Sequence, residues 1–198
     1  MLEEKPDDGN LVTAFFDLET QRSADEVGWD NIDLMYMSIG IVYLEPEGKY
    51  YHFKEEKVND LLDMLFAADR VVTYNGIRFD NIVLSHYSNR SIRDLKSVDM
   101  YLDIKDSLGR KRGVSLDNVS KATLGDVGGK NANPLDVFDW YKNGEWEKLI
   151  RYCSNDVRIT KGVYDYGKEN GHVYVYNTKE KKVPTNINWT VRRGKDNG

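Results

Sequence analysis

From residue 11 to about residue 187, unbroken apolar runs alternate with helical stripes. Residues 11–17, LVTAFFD, are apolar or β-branched up to their last position. That is the pattern of a central strand covered on both faces. Residues 35–44 (MYMSIGIVYL) and 49–53 (KYYHF) read as two more strands, a hairpin joined through Pro46-Glu47-Gly48. In residues 58–68, Val58, Leu61, Leu62, Leu65 and Phe66 share one helical face. A strand over 70–74 (RVVTY) and a helix over 78–88 follow, and residues 95–105 fit a short strand or a helix equally. Residues 115–124 form a helix with Ser115 as N-cap. Residues 125–134 (GDVGGKNANP) are loop, and Gly144 separates helices over 135–143 and 145–168. Residues 172–177 and 182–187 make a terminal hairpin. This order predicts one α/β domain with a mixed sheet over residues 11–189, with 1–10 and 190–198 as loose, flexible termini.

Composition narrows the classes. With 198 residues, 40% of them apolar, the chain supports one sizeable core. No apolar run approaches a membrane span, and the acidic start MLEEKPDDGN is not a secretory signal. Lone Cys153 excludes an internal disulfide and an all-cysteine zinc site, so a reducing cytoplasmic setting is expected. The net charge of −5 is unevenly spread: residues 1–65 carry −11, whereas 90–112 carry +3 and 168–198 carry +4. The acidic total is not that of a general polyanion binder; the two basic stretches could touch phosphates, although solvated surface charge is the better reading of each taken alone.

Four carboxylates sit badly with their surroundings. Asp17 and Glu19 end the most apolar strand, and their spacing of two puts both on the face that also carries Phe15. Asp80 opens a helix and shares a stripe with Leu84 and Tyr87. Asp156 interrupts the stripe Leu149, Tyr152, Cys153, Ile159, Val163, one turn after Tyr152. An ionised acid there is costly without a partner. If the three elements converge, four carboxylates repel one another unless divalent cations fill the site. Oxygen ligands suit hard ions such as Mg²⁺ or Mn²⁺, and a pair of such ions is a phosphoryl-transfer device.

Three segments carry a family resemblance. Phe16-Asp17-Leu18-Glu19-Thr20 resembles the first motif of the DEDD 3′→5′ exonucleases, and Tyr74-Asn75-Gly76-x-x-Phe79-Asp80 resembles the second. Tyr152-Cys153-Ser154-Asn155-Asp156-Val157 resembles the third in its tyrosine (DEDDy) form, since Arg151 stands where histidine-type members place His. The motifs come in family order, about 60 and 75 residues apart, and the likeness spans about residues 11–168. Ser115-Leu116-Asp117-Asn118 and the terminal hairpin look closest to the YprB-like group and the exonuclease domains of B-family DNA polymerases.

The resemblance implies a ribonuclease-H-like mixed five-stranded sheet flanked by helices, with the small hairpin at the C-terminal end. It also implies two divalent ions, Mg²⁺ or Mn²⁺, held by Asp17, Glu19, Asp80 and Asp156, and Tyr152 positioning the attacking water. The implied reaction shortens single-stranded nucleic acid, DNA before RNA, from its 3′ end, with a helicase or polymerase as expected partner. Leu18, Asn75 and Phe79 are the implied contacts to the terminal nucleotide. Arg110-Lys111-Arg112 could guide the strand's phosphates, although an exposed loop is the favoured reading, and Lys130 is given no role beyond a phosphate contact. Trp140, Tyr141 and Trp146 are stacking candidates, although their helical spacing favours packing. The alternative reading is a nuclease-like domain that binds nucleic acid or a partner without cutting. No Gly-x-x-x-x-Gly-Lys-Ser/Thr loop occurs, which excludes a nucleoside triphosphatase of that type.

Overall fold

The computed structural model describes residues 11–109, 113–125 and 133–192; Arg110-Lys111-Arg112 and Lys130 fall outside that description. Strand β1 (Thr13–Thr20) pairs antiparallel with β2 (Met37–Glu45), which turns into β3 (Lys49–Lys54). On its other side β1 pairs in parallel with β4 (Arg70–Thr73), and β4 with β5 (Ser97–Asp99). A two-residue strand β8 (Val191–Arg192) closes the sheet, giving the order β3-β2-β1-β4-β5-β8. The helices are α1 (Ala24–Val27), α2 (Val58–Ala67), α3 (Asp80–Ser85), α4 (Met100–Leu108), α5 (Leu116–Leu124), α6 (Asp136–Lys142) and α7 (Trp146–Asn170). Strands β6 (His172–Tyr176) and β7 (Lys182–Asn186) form the separate hairpin.

β1 is apolar on both sides because both sides are covered. Phe15 belongs to one core with Ile39, Ile41, Val72 and the α7 residues Cys153, Val157 and Val163. Ala14, Phe16 and Leu18 belong to another core with Leu61, Leu62 and Leu65 of α2 and Val83 and Leu84 of α3. Side chains alternate along a strand, so Asp17 and Glu19 follow Phe15 toward α7. No described helix is long and apolar enough to cross a membrane.

The structure departs from the sequence expectation at the C-terminal tail and decides what the sequence left open at residues 95–105. The sheet has six strands rather than five, because the tail expected to be loose from residue 190 is anchored up to Arg192. Thr190 N donates to Asp103 Oδ2 at 2.9 Å, Arg192 pairs with Asp103 and Asp106, and the Trp189 indole N–H donates to the Tyr164 carbonyl at 2.9 Å. Asp103 is 7% exposed, so its guanidinium partner holds the strand in register. Residues 95–105 are both a strand and a helix: β5 passes into α4 at Asp99, whose side chain accepts from Leu102 N as an N-cap.

The hairpin docks through side chains. Asn118 of α5 donates to the Tyr176 carbonyl at 3.0 Å and accepts from Tyr176 N at 2.8 Å. Thr123 Oγ1, further along α5, donates to the Tyr174 carbonyl at 3.1 Å and accepts from Tyr174 N at 3.0 Å.

Candidate active site

The parallel pairing of β1 with β4 stops at Phe15–Val72. Past that point β1 continues along β2 alone, with Asp17 opposite Ile41 and Glu19 opposite Ile39. The chain leaving β4 turns away, and a notch opens at the carboxyl ends of the two parallel strands. In open α/β sheets this is where ligands bind. Asp17 and Glu19 face the notch half-buried, while their neighbours Phe16 and Leu18 are buried on the other face.

Helix α7 lies across the notch. Cys153 Sγ sits 3.4 Å from the Asp17 carbonyl oxygen and 3.5 Å from Asp17 Oδ2. Donor atoms of Asp17, Glu19 and Cys153 lie within 4.8 Å of one another. Burial raises the Cys153 thiol well above its ordinary value, and the charges of Asp17, Glu19 and Asp156 add to the rise. Asp17 and Glu19 therefore lie against the sulfur atom, and the charge of Asp156 also reaches it. Asp156 is 4% exposed and Tyr152 9% exposed on the same helix, and the Tyr152 ring meets Trp140 edge-on at 5.9 Å. Two clustered carboxylates with oxygen donors fit a hard divalent cation, which relieves their mutual repulsion.

Asp80 approaches from the opposite side of β1. Its Oδ1 accepts from Leu18 N at 3.1 Å, so the first and second motifs are tied by one hydrogen bond. Burial pushes this carboxyl up to about 7; the backbone N–H groups of Asp80 and Leu18 oppose the rise, and the charge of Asp99 adds to it. Asp80 and Asp156 flank the tight Asp17–Glu19–Cys153 set rather than joining it. The Leu18 N–H is taken by Asp80, and its side chain is in the core.

The turn that delivers Asp80 is built with care for space. Asn75 adopts φ 69°, ψ 17°, the left-handed conformation that Asn tolerates. Gly76 follows, where a Cβ would fall 2.4 Å from Thr73 Oγ1. Asp99, fully buried, holds the turn: Oδ1 accepts from Asn75 N at 2.9 Å and Oδ2 from Ile77 N at 3.1 Å. Burial raises the Asp99 carboxyl, against the lowering by those N–H groups. Asn75 and Phe79 line a groove of about 690 Å³ together with Tyr74, Arg78, Tyr101 and Trp29. Tyr74 is fixed in its wall by donating to the Val114 carbonyl at 2.7 Å.

The sequence gives Asp99 and Trp29 no part in the site, and it places Cys153 in a motif without a role. Asp99 had a local signal, an acid directly before an apolar helical start, which is an N-cap pattern. The proximity of the Cys153 sulfur to Asp17 joins residues 136 apart and has no local signal. The stacking candidates Tyr141 and Trp146 pack on each other at 5.7 Å, and Lys54 Nζ sits over the Trp146 ring at 4.1 Å.

A profile of the RNase_H superfamily matches residues 14–167. No curated protein matches the sequence. Among solved structures, the family B DNA polymerase from the hyperthermophilic archaeon Pyrobaculum calidifontis is similar, with a TM-score of 0.62 and 19% identity over 80% of this chain. The match covers 24% of the polymerase chain, and at that identity it speaks for the fold alone. The profile runs from β1 through the acid-bearing part of α7 and takes in every motif and nearly the whole sheet, so the chain belongs to the RNase_H superfamily.

Proposed function

We propose that the chain is a metal-dependent 3′→5′ exonuclease that removes nucleoside monophosphates from single-stranded nucleic acid, DNA before RNA. The observation that carries this reading is the meeting of Asp17 and Glu19, at the open end of β1, with the Cys153–Asp156 turn of α7. The superfamily supports nuclease chemistry in general; the direction of attack rests on the resemblance of the three motifs to the DEDD exonucleases.

In this reading Asp17, Glu19, Asp80 and Asp156 hold two divalent ions, Mg²⁺ or Mn²⁺. Bound there, such ions lower the pKa of water and neutralise charge on the phosphate. The protein supplies geometry. Asp17 and Glu19 are set by the β1–β2 ladder, and Asp80 is locked to Leu18 N. The Tyr152 hydroxyl, one turn before Asp156, orients the attacking water. Asn75 and Phe79, on the turn held by Asp99, contact the terminal nucleotide. A helicase or polymerase partner belongs to the same proposal.

The test is a gel assay of 5′-labelled DNA and RNA strands with Mn²⁺, Mg²⁺ or EDTA, and Asp156→Ala in parallel. A metal-dependent ladder shortening from the 3′ end, absent in the variant, is expected. Strands that stay intact with every metal would overturn the reading in favour of a binding module. Cleavage of a strand with a blocked 3′ end would make the chain an endonuclease.

A further inference from the structure

We infer that the groove from Asn75 and Phe79 to Trp29 holds the bases just 5′ of the cleaved nucleotide, with the Trp29 indole as their stacking face. This rests on the exonuclease reading and adds a residue outside the three motifs.

Trp29 is 69% exposed, more than any other large hydrophobic among the described residues. An indole is one of the largest apolar surfaces a protein can bury, and its flat face is free to stack on a ligand. Among the described residues it has no aromatic partner, and its Nε1–H has no hydrogen bond. The segment around it is nonetheless well fixed. Ser23 and Glu26 form a reciprocal capping box before it, and Asn31 Nδ2 donates to the Val27 carbonyl at 2.8 Å. The ring is therefore held out on an ordered support.

The turn that carries Asp80 also lends Asn75, Arg78 and Phe79 to the groove, so one short segment serves both the acids and the groove. A second aromatic surface is present in Tyr74 and Tyr101, which meet edge-on at 6.3 Å. Arg78 is exposed beside them and makes no ion pair among the described residues. Arg78 is the one cationic side chain among the described residues that line the groove. Aromatic faces with an uncommitted arginine match a single strand, whose bases stack and whose phosphates seek positive charge. Stacking is indifferent to base identity, so this contact adds affinity without sequence preference.

The test measures binding of a short fluorescein-labelled oligothymidylate by anisotropy in EDTA, where cleavage cannot intervene. Trp29→Ala is expected to weaken binding by roughly 5- to 150-fold, and Trp29→Phe to recover most of the loss. Arg78→Ala is expected to weaken binding and to flatten its salt dependence by about one phosphate contact. With Mn²⁺ present, Trp29→Ala is expected to raise KM while kcat holds. Unchanged affinity in Trp29→Ala, a phenylalanine variant no better than alanine, or a fall in kcat at constant KM would each overturn the inference. Failures of the two readings are separable. Trp29-dependent binding without cutting removes the exonuclease and keeps the groove. Trimming of 3′ ends with a wild-type KM in Trp29→Ala does the reverse. Absence of any binding by the wild-type chain removes the groove.

Discussion

Asp99 offers the sharpest test of how the site is supported. Its two oxygens divide the work: Oδ1 accepts from Asn75 N at 2.9 Å and Leu102 N at 3.3 Å, and Oδ2 accepts from Ile77 N at 3.1 Å. Asp99→Ala removes both acceptor oxygens, and with them all three of these hydrogen bonds, at a fully buried position. Each buried donor left unmade costs about 1–3 kcal/mol, so the variant should lose about 3 kcal/mol or more. Asp99→Asn keeps the shape and one carbonyl oxygen. Placed as Oδ1, that oxygen retains two of the three bonds and sets an amide N–H against Ile77 N–H. The expected loss is then smaller, about 1–3 kcal/mol, because one hydrogen bond is lost where the amide N–H and the Ile77 N–H meet. Urea unfolding followed by circular dichroism reads both values from the midpoint at constant slope. In a chain of this length each kcal/mol is about 2–4 °C in Tm. Equal losses in the two variants, or a loss below about 0.5 kcal/mol in Asp99→Ala, would refute the view that this carboxylate holds the turn. An oligonucleotide KM that rises in step with the stability loss would tie the turn to substrate contact.

Mn²⁺ at about 100 times its dissociation constant should stabilise the wild-type fold by about 2.7 kcal/mol, seen as a rise in Tm. Asp17→Asn should abolish both that rise and activity, and a rise that survives the substitution would place the ions elsewhere. Gly76→Ala puts a Cβ 2.4 Å from Thr73 Oγ1 and 2.6 Å from Thr73 Cβ, so the turn must shift. The expected cost is about 1–3 kcal/mol in thermal or urea unfolding, with a raised KM for single strands; a neutral variant would show that the turn has slack.

What could be read from the sequence was whatever a local period encodes. The run LVTAFFD announces a strand buried on both faces because both faces are in fact covered. The stripe through Tyr152 and Asp156 announces an acid turned toward the core, and α7 buries both. Strand β8 escaped because two residues are too few to show an alternation, and its place depends on Asp103, 89 positions earlier. Residues 95–105 were undecidable because a three-residue strand passes into a helix without a break in the apolar pattern. The groove was invisible for another reason. Trp29, Arg78 and Tyr101 come from three separate segments, and only the folded chain makes neighbours of them.

The hydrogen bonds of Asn118 and Thr123 carry a consequence for self-association. The Asn118 carboxamide and the Thr123 hydroxyl can each donate and accept at once, as the backbone of a residue on a neighbouring strand would. Helix α5 therefore stands in for a third strand along β6, satisfying the N–H and C=O of both Tyr174 and Tyr176. A two-stranded ribbon on its own is marginal in water, and its open side is a template for strand addition by another molecule. Here that side is occupied from within the chain. Fraying of α5 would uncover it, and the first symptom of such damage would be association between copies rather than loss of the catalytic notch.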